Sequence, residues 1–315
     1  MLPSTGQALP GLHSALARPL SWTERLDLPR RITFAAAAAV VLLVGLLLGA
    51  ITWNGIQLFV AGGVPVSQIL TATWAPDPTS PPTNYGLLPF IFGTVGLMAV
   101  AALIATPLSI GLALFMSEIA PPWARRITQP AMEVFVGIPS VVWGWLGLTT
   151  LVPFLREYLS GLGFVVGFSW FAGGVVVSLM ILPTITTIAY DSLVAIPADL
   201  RTGSLALATT RWQTIRHVLL PTAAAGLATA VVLGMMRAAG EALAVQMVIG
   251  NAPVIPTSLT RPMTTLTSQI TLDMGNTVAG EPWNDALWTM GLVLLLISFG
   301  FVILVRLLGR RGSAR

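Results

Sequence analysis

Long apolar runs separated by shorter polar segments dominate the chain. The clearest run, Phe34 to Ile51, contains eighteen residues without a charge and lies between two arginines and a Thr-Trp-Asn segment. At 1.5 Å per residue, about 20 apolar residues cross the roughly 30 Å hydrocarbon core of a bilayer. The run therefore predicts a membrane-spanning helix. A cleaved signal peptide is not expected, because about thirty residues with prolines and charges precede the run, which is too long for a signal peptide's apolar part.

Five further apolar segments are long enough to cross a membrane as helices. They cover residues 88–117, 131–154, 165–190, 222–250 and 285–308. The composition agrees, since 55% of the 315 residues are hydrophobic and only 9% are charged. Soluble domains carry about 25% charged residues. The predicted fold class is all-α, a polytopic membrane bundle of about six transmembrane helices.

The arginines predict the orientation of this bundle, because cytoplasmic loops carry an excess of basic residues. Six spans place both termini on one side. If that side is the cytoplasm, thirteen arginines lie inside: Arg18, Arg25, Arg30, Arg31, Arg125, Arg126, Arg201, Arg211, Arg216, Arg306, Arg310, Arg311 and Arg315. Arg156 and Arg261 lie outside, and Arg237 falls within a span. We therefore expect a multi-pass protein of the cytoplasmic membrane with both termini inside.

These spans and loops predict the organisation of the chain. Its parts are a cytoplasmic N-terminal tail at 1–31, a first transmembrane helix at 32–54, an extracytoplasmic loop at 55–87, a transmembrane domain at 88–308 with a cytoplasmic loop at 191–221, and a cytoplasmic tail at 309–315. Two long external segments, 52–87 and 251–284, are rich in Pro, Thr and Asn. They are either docking surfaces for an extracytoplasmic partner or ordinary connections.

The residue types present exclude several kinds of chemistry. The chain has no cysteine, so disulfides and thiolate ligands are excluded, and no lysine, so it lacks the phosphate-binding lysine of a P-loop ATPase. His13 and His217 lie in different polar segments and predict no metal site. Scattered arginines argue against nucleic-acid binding. Ser140 follows Pro139 but lacks the glycine spacing of a nucleophile elbow. We predict no catalytic and no metal-binding residue.

Arg237 and Glu241 are charged residues within the fifth apolar segment, where burying a charge is costly. They lie four positions apart, so an unbroken helix would place both on one face. Two interpretations stay open at this point. The pair could neutralise itself and lock the bundle. Alternatively, the forked guanidinium could bind a passing oxyanion while Glu241 orients it or accepts its proton. Hydroxyl groups could add neutral donors at Thr106, Ser109, Ser140 and Thr184.

The polar segment between the fourth and fifth spans predicts two short helices. Pro197 and Asp199 mark a helix start, and a second helix is expected near Arg211. Trp212 and Ile215 recur at helical spacing among polar residues. Such an element lies along the membrane surface or projects apolar side chains into a partner's groove.

Five motifs together resemble the permease subunits of bacterial ABC importers. Their loop signature is Glu-Ala-Ala, three residues, Gly, then an apolar residue and Pro, and here it is Thr202-Gly203-Ser204, Ala208 and Leu220-Pro221. Among the departures from the signature, Thr202 replaces the glutamate and Ala208 replaces the glycine. The segments at 137–144 (after Glu133), 206–215 and 237–241 are similar to those of phosphate permeases, and 247–251 favours the PstC type. The similarity covers about residues 86 to 308.

The resemblance implies an ABC importer type I permease fold and a transport subunit that is not an enzyme. Implied partners are a PstA-type permease, two ATPase subunits that hold ATP-Mg, an extracytoplasmic phosphate-binding protein and the lipid bilayer. This chain itself would bind no cofactor. The implied substrate pathway contains Arg237, Glu241 and Ser140. The implied ATPase coupling loop contains Asp199, Thr202, Gly203, Ser204, Leu205, Ala208, Trp212 and Pro221.

Three alternatives remain open from the sequence. A permease for sulfate, molybdate or another oxyanion would share most of these features. A membrane scaffold or sensor that docks an ATPase without transport would need neither Arg237 nor a central path. An intramembrane enzyme would need a water-accessible catalytic pair, and the sequence offers none.

Overall fold

A computed structural model of the chain describes residues 22–79 and 81–312, and almost all of its regular structure is helical. The helices are α1 (Trp22–Val60), α2 (Val66–Ile69), α3 (Leu88–Leu114), α4 (Pro122–Gly137), α5 (Ser140–Leu146), α6 (Val152–Tyr158), α7 (Trp170–Val194), α8 (Ala198–Ala206), α9 (Arg211–Thr214), α10 (Leu220–Ala239), α11 (Leu243–Val248), α12 (Leu266–Asp273) and α13 (Pro282–Gly312). Two short strands, β1 (Trp74–Ala75) and β2 (Asn84–Tyr85), form an antiparallel pair. Of the predicted tails at 1–31 and 309–315, residues 1–21 and 313–315 lie outside the described residues.

Five helical segments in the described chain are long and apolar enough to cross a bilayer. They are Pro29–Val60, Leu88–Ile119, Trp170–Val194, Arg211–Ala239 and Pro282–Leu307. Apolar side chains remain exposed along them, including Val41 and Leu103 at more than two-thirds of their surface. Water is a poor solvent for such a surface, whereas lipid tails cover it without penalty.

The third predicted span, 131–154, is not one straight helix. Helices α4 and α5 meet at an angle of 90°, with the break at Ile138 and Pro139. Both residues are in extended conformations, with ψ of 124° and 139°. Proline lacks an N–H and disfavours a helical conformation in the preceding residue, so Pro139 ends α4 at this point. The pair counts as a sixth span only if the two arms are taken together.

Two other boundaries differ from the sequence prediction. Helix α1 continues to Val60, which lies inside the segment predicted as an external loop from residue 55. The fifth predicted span, 222–250, breaks after Ala239, and helix α11 begins at Leu243. Gly240 is the first residue after α10, and glycine is a poor helix former. Charged residues predicted within one span therefore lie on either side of a helix end.

The chain divides after Thr52 into two units, and the second contains the main core. There α3, α7 and α10 pack through buried aliphatic residues that include Leu97, Ile181 and Ile185. A Cβ added to Gly234 would lie 2.5 Å from Cγ1 of Ile185, so glycine lets α10 approach α7 closely. The hydroxyl of Ser109 donates to the carbonyl of Leu182 at 3.0 Å and joins α3 to α7.

Three π-helical turns interrupt or extend the α-helices of the second unit. They cover Phe115–Ile119 after α3, Gly147–Leu151 between α5 and α6, and Ile215–Leu219 between α9 and α10. Such turns are rare in α-helices and often lie at functional sites. The last one lets the chain pass from α9 into α10 as one continuous helical segment. Pro221 lies within this continuous segment and does not end it.

Candidate functional site

The polar segment between α7 and α10 folds as the sequence predicts, into two short helices. Helix α8 starts after Pro197, and Asp199 lies in its first turn, where a negative charge favours the helix dipole. Helix α9 begins at Arg211. Thr210 and Gln213 exchange side-chain and backbone hydrogen bonds at its start, which form a capping box. We refer to residues 191–221, for which the resemblance implies contact with an ATPase, as the coupling loop.

Three hydroxyl groups hold the turn between α8 and α9. The side-chain oxygen of Ser204 lies 2.9 Å from that of Thr209 and 3.0 Å from that of Thr214. Thr209 also donates to the backbone carbonyl of Ser204 at 2.8 Å. Ala208 sits in this turn with φ of 59°, in the left-handed region that favours glycine. The position at which the importer signature carries glycine thus has a glycine-like backbone in this chain.

The outer face of the coupling loop exposes apolar side chains. Leu207 is 81% exposed, Trp212 62%, and Leu205 is also exposed. Thr202 is exposed and its hydroxyl donates to backbone carbonyls of its own helix, while a Cβ on Gly203 would meet no atom within 4 Å. Pro221 is exposed near the start of α10. The arrangement presents a surface suited to another protein.

A cleft of about 480 Å³ lies beside these helices. It is lined by Glu118, Ile119, Arg201, Leu205, Arg211, Trp212, Thr214 and Ile215. The cleft thus joins the end of α3 to both helices of the coupling loop. Its walls combine apolar side chains with one carboxylate and two guanidinium groups.

Arg201 is the residue of this region that sequence analysis missed. Its guanidinium forms an ion pair with Glu118, 83 positions earlier, with Nη2 lying 3.0 Å from Oε1. The same side chain donates to the carbonyls of Leu193 and Ile196, each at 2.7 Å. The sequence contains a weak indication that Glu118 has a basic partner, because it is the only acidic residue between positions 88 and 121.

Arg237 and Glu241 do not form the pair that their spacing suggested. Because α10 ends at Ala239, Glu241 lies outside the helix, and the prediction that both share one helix face was wrong. Arg237 Nη1 donates to the hydroxyl of Thr184 on α7 at 2.6 Å. The Glu241 carboxylate accepts from the backbone N–H of Ala244 at 3.2 Å. Among the described side chains, no carboxylate lies within 4.0 Å of Arg237.

The break that carries Glu241 is held by helix α12, which sequence analysis did not predict. The hydroxyl of Thr267 donates to the backbone carbonyl of Glu241 at 2.8 Å, and Thr271 donates to the side chain of Gln246 at 3.0 Å. Thr267 is buried. An unpaired carbonyl at a helix end is costly in a membrane, and Thr267 satisfies this one.

Ser140 begins α5 directly after the break at Pro139 and is half-buried. Helix α5 packs against α11, since a Cβ on Gly144 would lie 2.7 Å from Cα of Ala244. The two interrupted segments of the chain therefore meet. In the part of the chain that is described, none of the three predicted pathway residues, Ser140, Arg237 and Glu241, is hydrogen-bonded to another.

Comparison with known proteins places this geometry in context. Residues 106–313 match the family described as binding-protein-dependent transport system inner membrane component. The chain is 50% identical over 281 residues to the probable ABC transporter permease protein YqgH of Bacillus subtilis (strain 168), covering 89% of this chain and 87% of that protein. It is 32% identical over 300 residues to the phosphate transport system permease protein PstC of Xylella fastidiosa (strain 9a5c), covering 90% of each.

A solved bacterial alginate ABC transporter, in complex with a periplasmic protein that carries an alginate pentasaccharide, has a related fold. The TM-score is 0.62 at 16% identity, and the match covers 90% of this chain and 96% of that one. The predicted fold class, an all-α ABC importer type I permease fold, is confirmed.

The strained position in the coupling loop leads to a stability prediction. We expect Ala208→Gly to stabilise the turn by about 1 kcal/mol, because a left-handed backbone costs an L-residue about 1–2 kcal/mol and glycine offsets part of this gain through unfolded-state entropy. The measurement is amide hydrogen exchange of residues 204–214 in the purified protein. Ala206→Gly, at the end of α8, is the matched control and should speed exchange. Faster exchange in both variants would contradict the assignment of strain to residue 208.

Proposed function

Because the chain belongs to the family of binding-protein-dependent transport system inner membrane components, we propose that it imports inorganic phosphate. Membership makes it a multi-pass permease subunit of an ABC importer of type I, a transport component rather than an enzyme. In the proposed mechanism, the substrate pathway opens alternately to the two sides of the membrane. Separate ATPase subunits supply the energy for this change. The substrate and the residues that meet it are the parts of this proposal that need tests.

The geometry of Arg237 is the observation that carries the choice of an oxyanion. Its guanidinium has one hydroxyl partner, Thr184, and no carboxylate at ion-pair distance in the described chain. An arginine held in a membrane span without a carboxylate partner needs another negative group or water. A phosphate offers oxygens that match the planar fork of the guanidinium. The interpretation of Arg237 and Glu241 as a self-neutralising lock loses its support.

Phosphate is favoured over other oxyanions for two reasons. Relatives that cover most of this chain carry the name phosphate transport system permease protein PstC. Glu241 offers a carboxylate four positions after Arg237, just beyond the end of α10. It could accept the proton of a hydrogen phosphate, which sulfate lacks at neutral pH. Sulfate or molybdate import remains the alternative that a competition assay would reveal.

The proposed complex contains four kinds of chain. A PstA-type permease would complete the pathway, two ATPase subunits with ATP-Mg would dock on the coupling loop, and a phosphate-binding protein would approach from outside. The exposed apolar face of Leu205, Leu207 and Trp212 supports the ATPase contact, because such a patch suits a protein groove. A scaffold that docks an ATPase without transport would keep this face and dispense with Arg237.

Orientation is the first element to test. We expect Gly203→Cys to be shielded from an impermeant thiol reagent in intact cells, and Val278→Cys to react, because the arginine bias places the coupling loop in the cytoplasm. The measurement is mass-tag labelling, and the chain has no native cysteine to add background. If the reagent labelled the Gly203→Cys variant but not the Val278→Cys variant, the orientation would be the opposite of the one proposed.

Docking is tested by placing a charge on the apolar face of the coupling loop. We expect Trp212→Asp and Leu205→Asp to insert normally but to lose the ATPase during purification, because each replaces an exposed apolar contact with a charge. The measurement is the ratio of ATPase to permease in the purified complex. Val278→Asp is the control, since Val278 is also 63% exposed but lies in the loop predicted outside. A normal ratio in Trp212→Asp would remove the docking role from this face.

The pathway is tested at Arg237. We expect Arg237→Gln to lower phosphate uptake by about 10- to 100-fold, because a hydrogen bond to a charged group contributes about 1.5–3 kcal/mol. Arg237→Lys should also be impaired, since an ammonium lacks the planar fork. The measurement is radiolabelled phosphate uptake in vesicles that contain all four kinds of chain, with sulfate and molybdate as competitors.

Assembly and charge balance are controlled in the same preparations. Arg156→Gln is the matched control, because Arg156 lies outside the proposed path. The double variant Arg237→Gln, Glu241→Gln separates the two interpretations of the pair. A mutual lock predicts that removing both charges restores function, whereas an oxyanion site predicts normal assembly without uptake. Uptake near the wild-type rate in the double variant would defeat the proposed pathway.

A further inference from the structure

Arg201 connects three elements that are distant in sequence. It lies on α8, its ion-pair partner Glu118 lies in the π-helical turn after α3, and its two carbonyl partners Leu193 and Ile196 lie at the end of α7. Leu193 is in the last turn of α7, and its carbonyl also accepts from the backbone N–H of Ile196 at 3.3 Å. Ile196 lies two residues beyond the helix, so Arg201 adds a donor from another element to this helix end. The planar guanidinium of Arg201 donates to these carbonyls and also forms the ion pair with Glu118.

The turn at Phe115–Ile119 is held from a second direction. Arg125 on α4 donates from Nη2 to the backbone carbonyl of Ser117 at 2.8 Å. Two arginines from two different helices therefore form hydrogen bonds with adjacent residues, Ser117 and Glu118, of one π-helical turn. The side chains of Arg201 and Glu118 are only 24% and 16% exposed, so water screens their pairing less than it would at an open surface.

The contacts extend from the coupling loop to the proposed pathway. Helix α7 carries Leu193 at its cytoplasmic end in the proposed orientation, and nine positions earlier it carries Thr184, the partner of Arg237. Helices α3, α7 and α10 form one packed core. A movement of α8 would therefore act on α3 and α7 together, and through α7 on the hydroxyl that Arg237 binds.

We propose that Arg201 is a positioning residue that transmits movement of the ATPase-docking helix α8 to the transmembrane helices α3 and α7. This inference rests on the proposed function, because it takes the coupling loop as the ATPase contact. Arg201 acts through its partners and does not meet the substrate. Loss of its contacts should leave the ATPase bound but let α8 move without α3 and α7.

The test compares substitutions that remove different parts of the contact. Arg201→Gln removes the ion pair and the fork. Arg201→Lys keeps a positive charge for Glu118 but cannot reach all three acceptors in one plane. Glu118→Gln removes the ion pair and leaves both carbonyl bonds. Arg216→Gln is the matched control, because Arg216 lies exposed in the same loop and has no ion pair among the described side chains.

The first readout is phosphate taken up per ATP hydrolysed in reconstituted vesicles. We expect this ratio to fall about tenfold in Arg201→Gln and less in Arg201→Lys and Glu118→Gln, with the ATPase still present in the purified complex and Arg216→Gln like the wild type. Each tenfold step corresponds to about 1.4 kcal/mol of lost coupling. A purely structural role would lower uptake and hydrolysis in proportion, and that result would overturn the proposal.

The second readout does not depend on the transported substrate. Spin labels at Gly203 on α8 and Gly111 on α3 have room, because a Cβ at either site meets no atom within 4 Å. We expect one narrow distance distribution in the wild-type complex and a broad one in Arg201→Gln. An unchanged distribution would overturn the proposal. If Arg201→Gln does not assemble, the Glu118→Gln complex decides by the same criterion. Absence of phosphate uptake in the wild type, with normal label distances, would contradict only the proposed substrate.

Discussion

The need to satisfy every backbone polar group inside a bilayer governs how this chain can interrupt its helices. Breaks occur at Ile138–Pro139 and at Gly240–Ala242, and the helices that follow them, α5 and α11, pack against each other. Gly144 allows that contact, since a side chain there would collide with Ala244. Non-helical backbone is tolerated at such depth only where protein or water covers it. Helices α5 and α11 cover part of each other, and Thr267 donates a hydrogen bond to the carbonyl of Glu241.

Helix α7 is the element on which both charged sites depend. Its middle supplies the hydroxyl of Thr184 to Arg237, and its end supplies two carbonyls to Arg201. The two arginines use α7 differently. Arg237 has a single hydroxyl partner and keeps donors for another group, whereas Arg201 makes four hydrogen bonds to a carboxylate and two carbonyls. The first arrangement suits a transient ligand and the second suits a permanent mechanical connection.

Sequence reasoning succeeded where the signal was local. Apolar length predicted the spans, Pro197 and Asp199 predicted the start of α8, and the second helix was expected near Arg211, where α9 begins. It failed where tertiary structure decided. The shared face of Arg237 and Glu241 assumed an unbroken helix, and Gly240 ended that helix between them. The partner of Arg201 is 83 positions away, so no window along the chain could connect them. Helix α12 is short and polar, and its burial comes from packing against α3, α11 and α13 rather than from its own sequence pattern.

The loop can tolerate two of its departures from the importer signature because the side chains of Thr202 and Ala208 do not determine its backbone conformation. Thr202 stands where the signature has glutamate, yet its side chain is exposed and bonds only to its own helix, so this change leaves the fold of the loop intact. Ala208 keeps the left-handed backbone that glycine would adopt, and the hydroxyls of Ser204, Thr209 and Thr214 hold the turn around it. The loop therefore preserves its backbone by side-chain hydrogen bonds at a position where glycine would do so by conformational freedom. What Thr202 alters is the charge that α8 presents outward, so any effect of the missing glutamate must be sought in the partner's surface rather than in this chain.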